Sequence, residues 1–247
     1  MRQTWWQRAG RRAPPFDPRA ISGLTCDVDP ARGVTLAGSL VSALTEQSGG
    51  TRSFTAAGKA RPTWGAASGA CGLPGITFDG VANALTGPVA SGILAVGAFT
   101  ILAVVKPVAV ALDQAAYYNN NPICGDASAY TVIAMRNTAT TPSVIGGVYA
   151  GAQNAQAPGL ALATHQLITM RLTNPTLLVQ RAGDAAVTSA CGAVPTLAST
   201  FQIGGVINAL FGNFVLSRLL AWNVSLSAAD LLAAQRAIGA AYGVTAP

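Results

Sequence analysis

The chain has 247 residues, of which 51% are hydrophobic and 10% charged, against roughly 25% charge in an ordinary soluble domain. Its net charge is +6, but Arg2, Arg8, Arg11, Arg12 and Arg19 set against Asp17 place +4 of that in residues 1–20, which excludes a continuous basic face for duplex nucleic acid. The longest apolar run, 93–105, contains Gly97 and ends at Lys106–Pro107, short of the roughly 20 residues that a membrane helix needs. With so few charges, Ser, Thr, Asn, Gln and Ala must cover the surface, and such a surface predicts contacts with other subunits. Arg2 and the pair Trp5–Trp6 open the chain with no apolar stretch behind them, so no signal peptide is expected and synthesis in the cytoplasm is.

Residues 1–20 read as an arm outside the core. Pro14, Pro15 and Pro18 favour extended backbone there. Trp5, Trp6, Arg8, Arg11, Arg12 and Phe16 are its candidate contacts for assembly, because two indoles left in water are costly.

From Ile21 the texture is that of a β-protein, expected to fill 21–247. Apolar stretches at 33–40, 76–78, 99–105, 129–135, 144–149, 167–172, 176–181, 200–203 and 214–222 are separated by Gly, Pro, Asn and Ser. Several alternate apolar with polar residues, as one face of a sandwich requires. Ile101–Val105 is continuously apolar, which predicts a central strand covered on both sides. Only the end differs. Ser227 followed by Asp230 is a helix start, Leu231, Leu232, Ala234, Gln235, Ile238 and Tyr242 form a stripe, and Gly243 is a stop. These signals predict a closing helix over 227–242.

Three groups of residues in this order carry a resemblance. The first is Ile21-Ser-Gly-Leu24, Asp27, Asp29 and Arg61-Pro-Thr-Trp64. The second is Gly75-Ile-Thr-Phe-Asp-Gly80 with Leu85 and the run Phe99–Pro107. The third is Ile203-Gly-Gly205, Phe214–Asn223, Leu226–Asp230 and Gly239-Ala-Ala-Tyr-Gly243. Together they resemble the laminin-G-like, concanavalin A-like jelly-roll domains found in tailed-phage virion proteins. The resemblance spans 21–244 and implies an all-β sandwich with an N-terminal arm and a C-terminal helix. It also implies a structural virion component (decoration, fibre or tail) that assembles through its arm with other virion proteins, as a homo-oligomer with a trimer favoured.

Cys26, Cys71, Cys124 and Cys191 lie too far apart for zinc-ligand spacing, and a cytoplasmic origin favours thiols. The nearest acid pair, Asp27 and Asp29, leads into Pro30 and reads as turn chemistry rather than as the paired carboxylates of a glycosidase. The one histidine, His165, reads as structural. With nine acids scattered along the chain, calcium is not supported and no cofactor is expected. These readings make the chain an expected non-enzyme. The alternative function is a glycan-binding adhesin. Tyr117, Tyr118, Asn119, Asn120 and Asn121 pair aromatic platforms with amide donors and acceptors in one loop, the combination that grips sugars.

Overall fold

The computed structural model describes residues 17–110, 121–127, 131–137, 142–148, 153–191, 197–206 and 210–247. Among the described residues the strands are, in chain order, β1 (Leu24–Val28), β2 (Val34–Ala37), β3 (Leu40–Thr45), β4 (Ser53–Thr55), β5 (Thr63–Gly65), β6 (Gly75–Asp79), β7 (Leu85–Val89) and β8 (Ala98–Ala109). They continue as β9 (Asn121–Asp126), β10 (Val132–Asn137), β11 (Pro142–Val148), β12 (Gln153–Pro158), β13 (Gln166–Thr173), β14 (Thr176–Arg181) and β15 (Val187–Ala190). The last are β16 (Thr200–Ile203), β17 (Gly205–Val206), β18 (Leu210–Phe211) and β19 (Asn213–Trp222), followed by the helix α1 (Ala228–Tyr242). The expected all-β sandwich with a closing helix is therefore observed, with more strands than the apolar runs alone mark. The short polar strands β4, β5, β7 and β15 lack the length to stand out by periodicity.

Every pairing between these strands is antiparallel, and the strands form two layers. In the first layer β19 has β8 on one side and both β1 and β6 on the other, and β13, β14 and β15 extend it beyond β8. The second layer runs β2–β3–β4–β7–β16–β9–β10–β11–β12. β5 pairs with both β3 and β6 and so links the layers at one side.

β8 shows why its sequence is apolar without alternation. Phe99, Ile101, Ala103 and Val105 point between the layers, while Leu102 and Val104 point outward into a second cluster with Leu231, Ala234, Ile238 and Tyr242 of α1. Both faces are dry, and burying each large apolar side chain contributes about 1.5–3 kcal/mol. Between the layers Phe78 stacks on Phe214 at 4.9 Å and Phe54 meets Phe201 edge-on at 6.3 Å, geometries that aromatic quadrupoles favour.

The helix begins and ends on the expected signals. Ser227 Oγ accepts from the Asp230 backbone N–H, and Gly243 closes the helix at φ +60°. One position of the predicted stripe differs. Leu232 is half-buried, while Gln235 is buried as the stripe requires and its amide donates to Thr169 Oγ1 at 2.9 Å and Gln180 Oε1 at 2.8 Å. The Phe-Asp-Gly run at the end of β6 makes a turn. Asp79 Oδ1 accepts from the N–H groups of Val81, Ala82 and Asn83, and Gly80 takes φ +75°.

Candidate functional site

Because α1 covers the outer face of the first layer, the outer face of the second is the candidate surface for a ligand. Register defines its centre. Thr35 lies opposite Ala43, Ala43 opposite Thr55, Thr55 opposite Thr86, and Thr86 opposite Gln202. The row continues through Gly125 to Val132. The strand neighbours of these residues, Leu44, Phe54, Leu85, Phe201, Ile203, Cys124 and Ile133, all belong to the inner core. Alternation therefore sends the row outward. Crossing six strand gaps of about 4.8 Å, the row is roughly 29 Å long.

The row is flanked by further hydroxyls. Thr45 pairs with Ser53, their oxygens 3.5 Å apart, and Ser42 Oγ donates to the Thr35 carbonyl. Hydroxyl and amide groups both donate and accept, which suits a ligand made of hydroxyls. The nine strands of this layer contain one acid, Asp126, and one base, Arg136. Asp126 is fully buried and stands opposite the core residue Phe201, so it does not face the row. Among the described residues no group of three metal-ligating side chains occurs.

A second polar feature lies on the other layer, beneath the C-terminal end of α1. Arg218 of β19 stands 2.6 Å from Asp27 Oδ1 and 2.6 Å from Asp29 Oδ2, and Arg32 binds Asp29 at 2.7 Å. Arg218 also approaches the Tyr242 hydroxyl at 3.5 Å. Burial raises the Asp27 carboxyl above its ordinary value, outweighing the pull of Arg218 and Arg32, and the Asp29 and Glu46 carboxylates add to the rise. Burial likewise raises the Tyr242 phenol. The turn reading of Asp27 and Asp29 is thus corrected. Asp29 does cap a turn, accepting from the Ala31 N–H, but Asp27 belongs to β1 and both carboxylates converge on a guanidinium far along the chain.

Of the residues singled out by sequence, Tyr117, Tyr118, Asn119 and Asn120 lie outside the described residues, as do Trp5, Trp6, Arg8, Arg11, Arg12 and Phe16. Asn121 is the first residue of β9 and is buried. Of the arm, 17–20 are described. Asp17 caps a short turn over Pro18–Ala20 and pairs with Arg19. His165 precedes β13 half-buried, and burial lowers its pKa, with Lys106 adding to the effect. All four cysteines are free thiols. Sequence reading missed Thr35, Thr55, Thr86 and Gln202. Each is the polar member of an alternating pair such as Phe54–Thr55 or Phe201–Gln202, a signal that marks a residue as outward but not which strands stand beside it.

No family model matches the chain, and no curated protein matches it. Solved structures do share its fold. Domain 4 of AbnA, an extracellular arabinanase from Geobacillus stearothermophilus solved with arabinotriose, aligns at 11% identity and a TM-score of 0.58, over 84% of this chain and 96% of that one. An arabinofuranosidase complexed with arabinofuranosyl-alpha-1,2-xylobiose aligns at 13% identity and a TM-score of 0.60, over 90% of this chain and 60% of that one. Trypanosoma rangeli sialidase aligns at 15% identity and a TM-score of 0.53, over 85% of this chain and 32% of that one. The chain thus spans less than two thirds of the last two proteins. At such identities the likeness establishes the fold.

These matches support the all-β sandwich of the expected jelly roll; the three proteins named are carbohydrate-active, not laminin-G or phage proteins. They also correct the expectation of a non-enzyme. The solved structures named above, which share this fold, are glycoside hydrolases, a sialidase or a domain of one, so the fold gives no ground for placing the chain outside carbohydrate-active enzymes. Among the described residues no helix is long and apolar enough to cross a membrane.

Proposed function

We propose that the chain is a glycan-binding β-sandwich whose contact surface is the hydroxyl-lined outer face of the second layer. The observation that carries this reading is the row Thr35–Thr55–Thr86–Gln202, which aligns side chains able to exchange hydrogen bonds with sugar hydroxyls across β2, β4, β7 and β16, with Ala43 of β3 between Thr35 and Thr55. The arabinotriose in the solved domain 4 of AbnA, a structure of nearly the same extent, supports the same class of ligand. Tyr117, Tyr118, Asn119 and Asn120 immediately precede β9, the strand that contributes Gly125 to the row. Aromatic rings stack on sugars and amides exchange hydrogen bonds with their hydroxyls, which makes these four residues candidate further contacts. Binding runs through hydroxyls and amides without calcium.

Titration of the purified chain with linear arabino- and xylo-oligosaccharides, followed by calorimetry, tests the reading. Binding should be unaffected by a chelator, and should weaken at least about tenfold, or 1.4 kcal/mol, in Thr86→Ala/Gln202→Ala and in Tyr117→Ala/Tyr118→Ala. If the Thr86/Gln202 variant binds as tightly as the parent, the face is simply a solvated surface.

A further inference from the structure

We propose that the free edge of β2 is the docking site of the chain's own N-terminal segment, residues 1–16, which adds a strand there. This inference stands apart from the glycan-binding reading. β2 pairs with β3 on one side and, among the described residues, with no strand on the other. The carbonyls of Gly33 and Thr35 point toward β3, where they accept from the Thr45 N–H and the Ser42 hydroxyl. Backbone groups alternate sides along a strand, so the N–H and C=O groups of Val34 and Leu36 point away from β3, to the open side.

Natural sheets blunt such an edge with charge, with proline or with a covering segment. Gly33-Val-Thr-Leu-Ala-Gly-Ser-Leu40 holds neither charge nor proline. Residues 35–40 are all exposed, Leu36 and Leu40 at 40% each. An uncharged edge beside two exposed leucines is a template for another strand.

The position of Asp17 identifies the occupant. Asp17 is the first described residue, and its carboxyl is lowered chiefly by the hydrogen bond from Arg19, with a further contribution from the charge of Arg32. Arg32 is held by Asp29 at 2.7 Å and lies two positions before β2. The chain ahead of Asp17 therefore joins the fold near the start of β2. Sixteen extended residues reach up to about 50 Å, several times the length of a four-residue strand. Within them Gln3-Thr-Trp-Trp-Gln-Arg8 is rich in the β-branched and aromatic types that favour strands, and Pro14 and Pro15 stand outside that run. Val34 packs against the core between the layers, so alternation puts Leu36 on the core side of β2 and Thr35 on the outer side. By the same alternation the adjacent Trp5 and Trp6 fall on opposite faces of the added strand, one beside Leu36 and one beside Thr35. A tether this short gives the segment a high effective concentration at the edge, which favours the same chain over a second copy.

Amide hydrogen exchange on the full chain, read residue by residue, tests this. In the parent the N–H groups of Val34 and Leu36 should be protected. Trp5→Ser/Trp6→Ser should speed their exchange at least about tenfold while the N–H groups of β8 stay slow. If β8 also loses protection, Thr4→Pro/Gln7→Pro replaces that variant. Positions 4 and 7 direct their N–H groups to opposite sides of a strand, so one edge hydrogen bond is lost in either register. Exchange at Val34 and Leu36 that is as fast in the parent as in an unstructured peptide overturns the proposal. Equal protection in the parent and in a folded variant does the same. Protection that fades on dilution also overturns it, because the edge then pairs with a second copy.

Discussion

Asp29 and Arg218 lie 189 positions apart in the sequence and 2.6 Å apart in the fold. Both are nearly enclosed, and Asp27 joins them from β1. Removing one member of such a buried cluster strands its partners, which costs about 3–5 kcal/mol, whereas exposed pairs contribute little. Arg218→Met should therefore lower the chemical denaturation free energy by that order. Arg19→Ala, which breaks the exposed pair with Asp17, should leave the midpoint where it was. Indistinguishable midpoints for the parent and Arg218→Met would show that the cluster holds nothing together.

The same cluster gives stability an unusual pH dependence. Asp27 is held above its ordinary value of 3.8, first by burial, so in the folded state it keeps its proton more tightly than in the unfolded chain. Its contribution to stability is then full below about pH 4 and falls as pH rises through the raised folded value. Asp79 has the opposite sign. Burial pushes it up, but N–H groups of Ala82, Val81 and Asn83 outweigh that and lower it, so its contribution is present above about pH 4 and disappears in acid. Denaturation curves from about pH 3 to 7 should show Asp27→Asn gaining on the parent as pH rises, and Asp79→Asn losing ground over the lowest part of that range. Parallel curves for Asp27→Asn and the parent would contradict the burial argument.

What the sequence discloses here depends on how far apart the interacting residues lie. The Ser227 cap, the Gly243 stop and the Asp79 turn are local, each settled within a few positions, and each forms as the residues indicate. β8 is legible for a related reason, since being dry on both faces leaves a continuous apolar run. The carboxylates of Asp27 and Asp29 are visible in the sequence, but nothing near them names Arg218 as their partner. The hydroxyl row is less legible still. Thr35, Thr55, Thr86 and Gln202 become neighbours through four separate pairings, and β7 takes its partners from distant segments, β4 on one side and β16 on the other. One slip of register would turn the row inward.

The helix terminus couples to a cysteine on the 3-10 turn at Ala70–Gly72. A Cβ added at Gly243 would sit 2.4 Å from Cys71 Sγ, and the backbone there is left-handed at φ +60°. Gly243→Ala should thus carry two costs, about 1 kcal/mol for the left-handed conformation and a further amount for the collision. Cys71→Ala alone should change little because Cys71 is exposed. In the double variant the collision disappears while the backbone cost stays, giving a coupling that thermal melts resolve. Strict additivity of the two single changes would mean that the helix end shifts away from Cys71 instead of meeting it.

The thiols should separate by reactivity. Burial pushes Cys26 well up, carries Cys124 up to about 12 and raises Cys191, and all three are buried. A thiolate is the reacting species, so these three are both shielded and protonated at neutral pH. Cys71 alone is exposed. A water-soluble maleimide added to the native chain should label one cysteine rapidly, Cys71→Ser should abolish that fast phase, and denaturant should release the other three together. Two fast thiols in the native chain would mean that Cys191, near the edge strand β15, opens to solvent without global unfolding. A fast phase that survives Cys71→Ser would show that the layers do not exclude water from Cys26 and Cys124.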